Sequence, residues 1–139
     1  MNKKLLYQSF FLLFFIAVLN WLSIKLFLYL SFRWTDSILH FLAGFSVALF
    51  AVWFLSIWQE NSSKKVIIIF SFICVLIIGV VWELFELYFN ITFLSDGIHY
   101  ITDTSSDLLM DILGGFLASL YAFRLLNKKQ YEEKLQVTS

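Results

Sequence analysis

The sequence predicts an all-α integral membrane protein, a bundle of four transmembrane helices with both termini in the cytoplasm. Three observations predict it. Hydrophobic residues make up 60% of the 139-residue chain and charged residues only 14%. A soluble domain of that length could not bury so much apolar surface, whereas a bilayer replaces water as the solvent. The apolar residues gather into stretches of membrane-crossing length, roughly 20 residues each. The lysines and arginines then fall on one side of those stretches, as the positive-inside rule requires.

The first span covers about 5–28 and opens on an uncharged run from Leu5 to Ile24. Met1-Asn2-Lys3-Lys4 looks like the basic start of a signal peptide. The apolar run is too long for one, however, and no small-x-small cleavage site follows, so a retained helix is expected. The second span, about 37–59, has no formal charge and holds His40 near its start. The third, about 66–89, is apolar to Trp82 and continues through Glu83 and Glu86. The fourth, about 104–126, is weaker because Asp107 and Asp111 stand near its start. Residues 1–128 form one transmembrane domain on this reading, and 129–139 a short cytoplasmic tail, frayed from Tyr131 to Ser139. The chain has no proline, so nothing obliges a kink. Its one cysteine, Cys74, lies in an apolar run and can form no disulfide within the chain.

Charge supports the weak fourth span. With the N-terminus in the cytoplasm, Lys3, Lys4, Lys64, Lys65, Arg124, Lys128, Lys129 and Lys134 are inside, and only Lys25 and Arg33 are outside. Without the fourth span the basic C-terminal residues would move outside and the bias would vanish. The same orientation sends seven acidic residues outward: Asp36, Glu83, Glu86, Asp96, Asp103, Asp107 and Asp111. His40 and His99 go with them, and Glu60, Glu132 and Glu133 stay inside.

The helical rise gives each of these a depth. His40, Glu83 and Asp111 lie roughly 7–10 Å below the outer ends of their spans, at one level. Asp36, Glu86 and Asp107 lie about one turn nearer the surface. Within each helix the polar residues are three or four apart: Asp36 and His40; Glu83 and Glu86; Asp103, Asp107 and Asp111. Such residues share a helix face and can all point into the bundle. A charge facing lipid costs a few kcal/mol, so inward is the expected direction. Ala43, Gly44, Ala48 and Ala51, and Gly114, Gly115 and Ala118, make two helix faces small, which lets helices approach closely.

Part of the cluster has a plain structural explanation. Thr104-Ser105-Ser106-Asp107 reads as a capping box for the fourth helix, and Thr35 or Asp36 could cap the second. Asp96-Gly97 reads as a turn, with His99 solvated beside it. Capping does not account for His40, Glu83 or Asp111. Asp36, Glu83, Glu86, Asp107 and Asp111 together bring five potential negative charges, which cannot all stay ionised without compensation. Protonation, a divalent metal ion, Lys25 and Arg33, or a cationic ligand group could supply it. Carboxylates with one imidazole and no thiolate suit Mg²⁺, Mn²⁺ or Zn²⁺, so Asp36, His40, Glu83, Glu86, Asp107 and Asp111 are the candidate metal ligands. His40, Glu83 and Asp111 are also the candidate acid/base groups.

The same residues carry a resemblance. Asp36 through His40-Phe41, followed by Gly44-Phe45, resembles the Asp…His-Phe…Gly-Phe segment of the YjdF-type family of uncharacterised bacterial inner-membrane proteins. Trp82-Glu83-Leu84-Phe85-Glu86 is similar to that family's aromatic-Glu…Glu segment. Asp103-Thr104-Ser105-Ser106-Asp107, with Asp111 and Gly114, is similar to its Asp-Thr-x-x-Asp segment and following helix. The order also resembles, more distantly, the VanZ-like group linked to glycopeptide resistance. The resemblance covers about Trp34 to Ala118. It implies a multi-pass protein of the bacterial cytoplasmic membrane and carries no settled activity.

These readings lead to an outward-facing acidic and histidine site. It is expected to bind a divalent cation and a lipid or envelope-precursor head group, with membrane lipid as partner. The alternative is a non-enzymatic carrier or accessory protein whose cluster is protonated or salt-bridged; a carrier built on four helices would need a dimer, so a homo-oligomer is a further candidate partner. Whether the chain is an enzyme stays open. A net charge of zero and the scatter of basic residues argue against nucleic acid, and no glycine-rich phosphate loop or Ser-His-Asp motif is present.

Overall fold

The computed structural model describes residues 3–32, 34–59 and 62–138. Met1, Asn2, Arg33 and Glu60 lie outside the described residues, as do the side chains of Lys129, Glu132, Glu133 and Lys134. Helices account for almost all of the described chain: α1 (Lys3–Lys25), the single turn α2 (Leu28–Ser31), α3 (Trp34–Trp58), α4 (Lys64–Tyr88) and α5 (Ile98–Thr138). α1, α3, α4 and the Ile98–Lys128 part of α5 are each long and apolar enough to cross a membrane. Many large side chains face outward, among them Phe11, Phe14, Trp21 and Ile77. In water that surface would drive aggregation, and in hydrocarbon it is the natural exterior.

Short connections turn the chain between the helices. Phe27 takes a left-handed backbone conformation (φ 54°) between α1 and α2, and Asn90 does the same (φ 55°) just after α4. The Ser63 side chain caps α4 by accepting from the Val66 N–H at 3.3 Å. A 3₁₀ turn, Leu94–Asp96, and Gly97 (φ 58°) lead into α5. The Asp-Gly pair therefore does make a turn, and the first helical bond of α5 runs from the Ile101 N–H to the Gly97 carbonyl at 3.2 Å.

That geometry starts α5 at Ile98, six residues before Thr104, and corrects the capping reading. Thr104 and Asp107 lie inside the helix, where no N–H is left for a capping box. The Thr104 hydroxyl instead donates to Glu83 Oε2 on α4 at 2.7 Å. At the start of α3 the Thr35 hydroxyl donates to the Phe32 carbonyl at 2.8 Å rather than accepting from an N–H. Hydropathy hid the true start of α5 because its first turns carry His99, Thr102 and Asp103. At the other end the helix runs on to Thr138, so the backbone of the stretch expected as a frayed tail is helical.

α3 is the central element and packs on α5, α4 and α1, while α5 also packs on α4. The α3–α5 crossing is close because both sides lack side chains. A Cβ built on Gly44 would overlap the Asp111 backbone, and one built on Gly114 would overlap the Phe41 carbonyl oxygen. Each glycine stands three residues beyond the backbone that the other touches, so the contact is reciprocal. Below this crossing, Leu5, Leu49, Val52, Ile67, Val75, Ala118 and Ala122 form the apolar core. α1 joins the bundle through Ser9 and Ser46, where each hydroxyl donates to the other residue's carbonyl at 3.0 Å. The core thus fills the half of the bundle nearer Leu5 and Ile67. The other half is left to the polar side chains.

Candidate metal centre at the polar end of the bundle

Helix spacing brings the polar residues together. Asp36 and His40 are one turn apart on α3, and Asp107 and Asp111 are one turn apart on α5. The glycine crossing presses these two faces against each other. His40, Asp107 and Asp111 are buried, with 6%, 3% and 5% of their surface exposed, and Asp36 is half-buried.

His40 sits at the centre. Its Nδ1 lies 3.2 Å from Asp111 Oδ2, and its Nε2 lies 3.9 Å from Asp36 Oδ1. A carboxylate oxygen accepts only, so with Asp111 ionised the Nδ1–H donates to it. That bond holds the ring and turns Nε2 toward Asp36. Asp111 is itself held from behind. Gly79 on α4 leaves room for it, and a Cβ there would stand 2.9 Å from Asp111 Oδ2.

One ligand atom each from Asp36, His40 and Asp107 lie within 4.8 Å of one another. Two ligands on opposite sides of a divalent ion stand about 4–5 Å apart, so the three can close on one ion with small side-chain movements. Asp111 then holds the histidine, as carboxylates beside metal-bound histidines commonly do. The other two candidates stand aside. Glu83, 5% exposed, accepts from Thr104 through Oε2, and its Oε1 is buried without a partner. Glu86 accepts from the Trp82 indole N–H at 2.9 Å.

Of the cations named from the sequence, Lys25 is exposed and Arg33 lies outside the described residues; the ion pairs described for Asp36 and Asp111 run to His40. Three further residues matter here. Thr104 reads as a cap in the sequence and is a hydrogen-bond donor to Glu83 in the structure. Gly79 stands four residues from both Val75 and Glu83 on the buried stripe of α4, a spacing that marks it as facing the bundle. Tyr29 stands among apolar residues, with no spacing that marks it.

Tyr29 lies in α2, outside the membrane-crossing helices, and its hydroxyl donates to Asn20 Oδ1 at 2.6 Å. Burial, and then the charges of Asp36 and Glu86, hold its phenol up at about 12 against an ordinary 10. A raised phenol favours the folded state at lower pH. The stability it contributes is present below pH 10 and is lost as pH climbs from about 10 to 12. Melting temperatures measured from pH 9 to 12 are therefore expected to fall less steeply in Tyr29→Phe than in the wild type. Parallel falls would remove Tyr29 as a source of alkaline sensitivity.

Beside the three ligands, an open cleft of about 680 Å³ is lined by Trp34 and Ser37 of α3, by Asp96 at the turn, and by His99, Tyr100, Asp103 and Ser106 of α5. Ser37 follows Asp36 and Ser106 precedes Asp107, so the cleft borders the metal ligands.

The model of a family described as predicted membrane protein (DUF2238) matches residues 3–128 of the chain, nearly the whole of the described bundle. This is the family to which the YjdF-type resemblance points, and the match does not extend that support to the VanZ-like group. No curated protein and no solved structure matches the chain.

Proposed function

Because the chain belongs to this DUF2238 family of membrane proteins, we propose that it is a multi-pass protein of the bacterial cytoplasmic membrane that binds a divalent cation in its polar half. The basic residues favour both termini inside, which puts that half toward the outer leaflet. The cation presents an open face to the cleft and there holds the phosphate of a lipid or envelope-precursor head group. One observation carries the reading: the convergence of Asp36, His40 and Asp107 within 4.8 Å, with Asp111 on the far nitrogen of the imidazole. An all-carboxylate site would suit Mg²⁺ or Ca²⁺, and the imidazole moves the preference toward Mn²⁺ or Zn²⁺. Bound there, the ion would polarise a phosphoryl oxygen or acidify a water. Asp36 and Asp107 would hold it, and His40 would do so with its ring fixed by Asp111.

Chelated protein in detergent, melted with Mg²⁺, Ca²⁺, Mn²⁺ or Zn²⁺ added back, tests this directly. An ion that binds only the folded state stabilises it by about 2.7 kcal/mol at a hundred times its Kd. A rise of several degrees is expected for Mn²⁺ or Zn²⁺, and it should be lost in Asp107→Asn. A flat response to all four ions, with Asp111→Asn as stable as the wild type or more so, would sink the cation reading. It would leave a protonated or structural network in a carrier or accessory protein.

A further inference from the structure

The chain turns at the polar end of the bundle are apolar, where turns that face water are polar. The residues between Glu86 and Asp96 carry no charge. Tyr88, Phe89, Ile91, Phe93 and Leu94 stand exposed along them, Tyr88 at 80% and Leu94 at 70%, and Ile98 follows at 69%. At the α1–α3 connection Leu30 is 84% exposed. In water such a rim would drive aggregation.

Helix rise shows where the rim sits. Lys64 and Lys65 mark one edge of the bilayer on α4. About 20 residues from Val66 cross a hydrocarbon core of about 30 Å and end near Phe85. Tyr88 is about 5 Å beyond that edge, within a head-group layer about 5–8 Å deep. The bond from Thr104 to Glu83 puts those two residues at one height. Tyr88 then stands about 7–8 Å above them and Ile98 about 9 Å, so both ends of the turn reach the same layer. His40, bonded to Asp111, levels α3 with α5 in the same way, and Trp34 comes out level with Thr104. The cleft therefore runs from below the hydrocarbon edge, at Ser37 and Ser106, up into the head-group layer, at Thr92 and Asp96.

The turn is a two-sided wall. Ile91, Phe93 and Leu94 are exposed on it, whereas Thr92 is half-buried and lines the cleft, its hydroxyl buried without a partner. The hydroxyls of Ser37, Thr92, Tyr100 and Ser106 give the cleft donors for phosphate oxygens. Trp34, 76% exposed at the other edge, is a residue type that settles at this boundary.

We propose that the 88–98 turn is seated in the head-group layer and that the cleft opens sideways into it, so that its ligand is the phosphate of a lipid already in that leaflet. The seating follows from the spans alone. The identity of the ligand rests on the head-group reading above.

The test uses the full chain with Cys74→Ser, in phosphatidylcholine–phosphatidylglycerol vesicles, carrying a nitroxide on one introduced cysteine. Leu94→Cys reports the turn, Ile77→Cys the hydrocarbon and Tyr131→Cys the water, all at exposed positions. Power saturation with oxygen, and with a nickel chelate on both sides of the membrane, reads the depth. The Leu94 label is expected to lose most of the nickel collisions seen at Tyr131 and to meet oxygen nearly as Ile77 does. Nickel access equal to that at Tyr131 overturns the proposal. A bimane on Ser106→Cys reads the cleft. Phosphatidylcholine with a nitroxide on its head group is expected to quench it, and iodide in the buffer is not. Quenching by iodide alone means a cleft open to water and overturns entry from the leaflet, even with the turn seated. Excess glycerol phosphate should leave the lipid quenching unchanged, and its loss would overturn the lipid source in favour of a soluble ester. No ion is added in these measurements. A flat response in the ion melts therefore removes the cation reading and leaves the seated turn and the sideways opening standing.

Discussion

Replacing Gly114 by alanine is expected to destabilise the bundle by roughly 3–5 kcal/mol, toward the top of what a single small-to-large change does. The new Cβ would overlap the Phe41 carbonyl oxygen and stand 2.9 Å from its carbon and 3.0 Å from the Phe45 nitrogen. All three are backbone atoms of α3, so no rotamer change relieves them and the helices must separate. Separation also pulls His40 from Asp111. Gly115→Ala, one residue on, is the matched control. Its Cβ meets the Val75 Cγ2 methyl at 2.8 Å, a side-chain group that can turn, and its cost should be nearer 1 kcal/mol. Thermal or denaturant unfolding in detergent measures both. A Gly114→Ala protein that melts with the wild type would show that the crossing is looser than described.

The second large effect is expected at His40. Its alanine variant leaves the Asp111 carboxylate 5% exposed in a helical bundle with no partner described for Oδ2. Removing one member of a buried pair costs about 3–5 kcal/mol, most of it from the charge left behind. Asp111→Asn should cost less, because the amide oxygen still accepts from Nδ1–H. In the double variant the stranded charge is gone, so its destabilisation should fall short of the sum of the two single ones by at least about 1 kcal/mol. Additive losses in that cycle would mean that His40 and Asp111 are not energetically coupled.

Much of the bundle could be read from one-dimensional patterns. The spans follow from apolar runs of membrane length, and the structure places them within a few residues of the expected 5–28, 37–59 and 66–89. Asp36, His40, Asp107 and Asp111 were legible as a group because spacings of three and four survive any rigid packing of straight helices. Depth assigned from helix ends was less secure. It set Glu83 and Glu86 level with their neighbours on α3 and α5, yet they bond to Thr104 and Trp82 and stay out of the ligand triad. Rise along a helix gives height and says nothing about rotation around it, and rotation decides which carboxylates meet. The start of α5 was missed for a different reason. Hydropathy sees hydrocarbon thickness, whereas the helix begins where Gly97 lets the backbone turn, some way above the apolar zone. The sequence offers Lys25 and Arg33 as compensating cations; the exposed setting of Lys25 in the structure speaks against neutralisation by that residue, and Arg33 lies outside the described residues.

α5 does not stop where its apolar stretch does. It continues as one helix from Ile98 to Thr138, with Asp103, Asp107 and Asp111 toward one end and Gly114 braced against α3 between. Asp107 is about 10 Å along the axis from that brace, and Thr138 is about 36 Å from it on the other side. A rigid rod pivoting at the brace multiplies displacement by the ratio of its arms. A 1 Å movement of the helix backbone at Asp107 would swing the far tip by about 3–4 Å. A tilt of the helix at the polar end would thus be legible, enlarged, as motion at its other end.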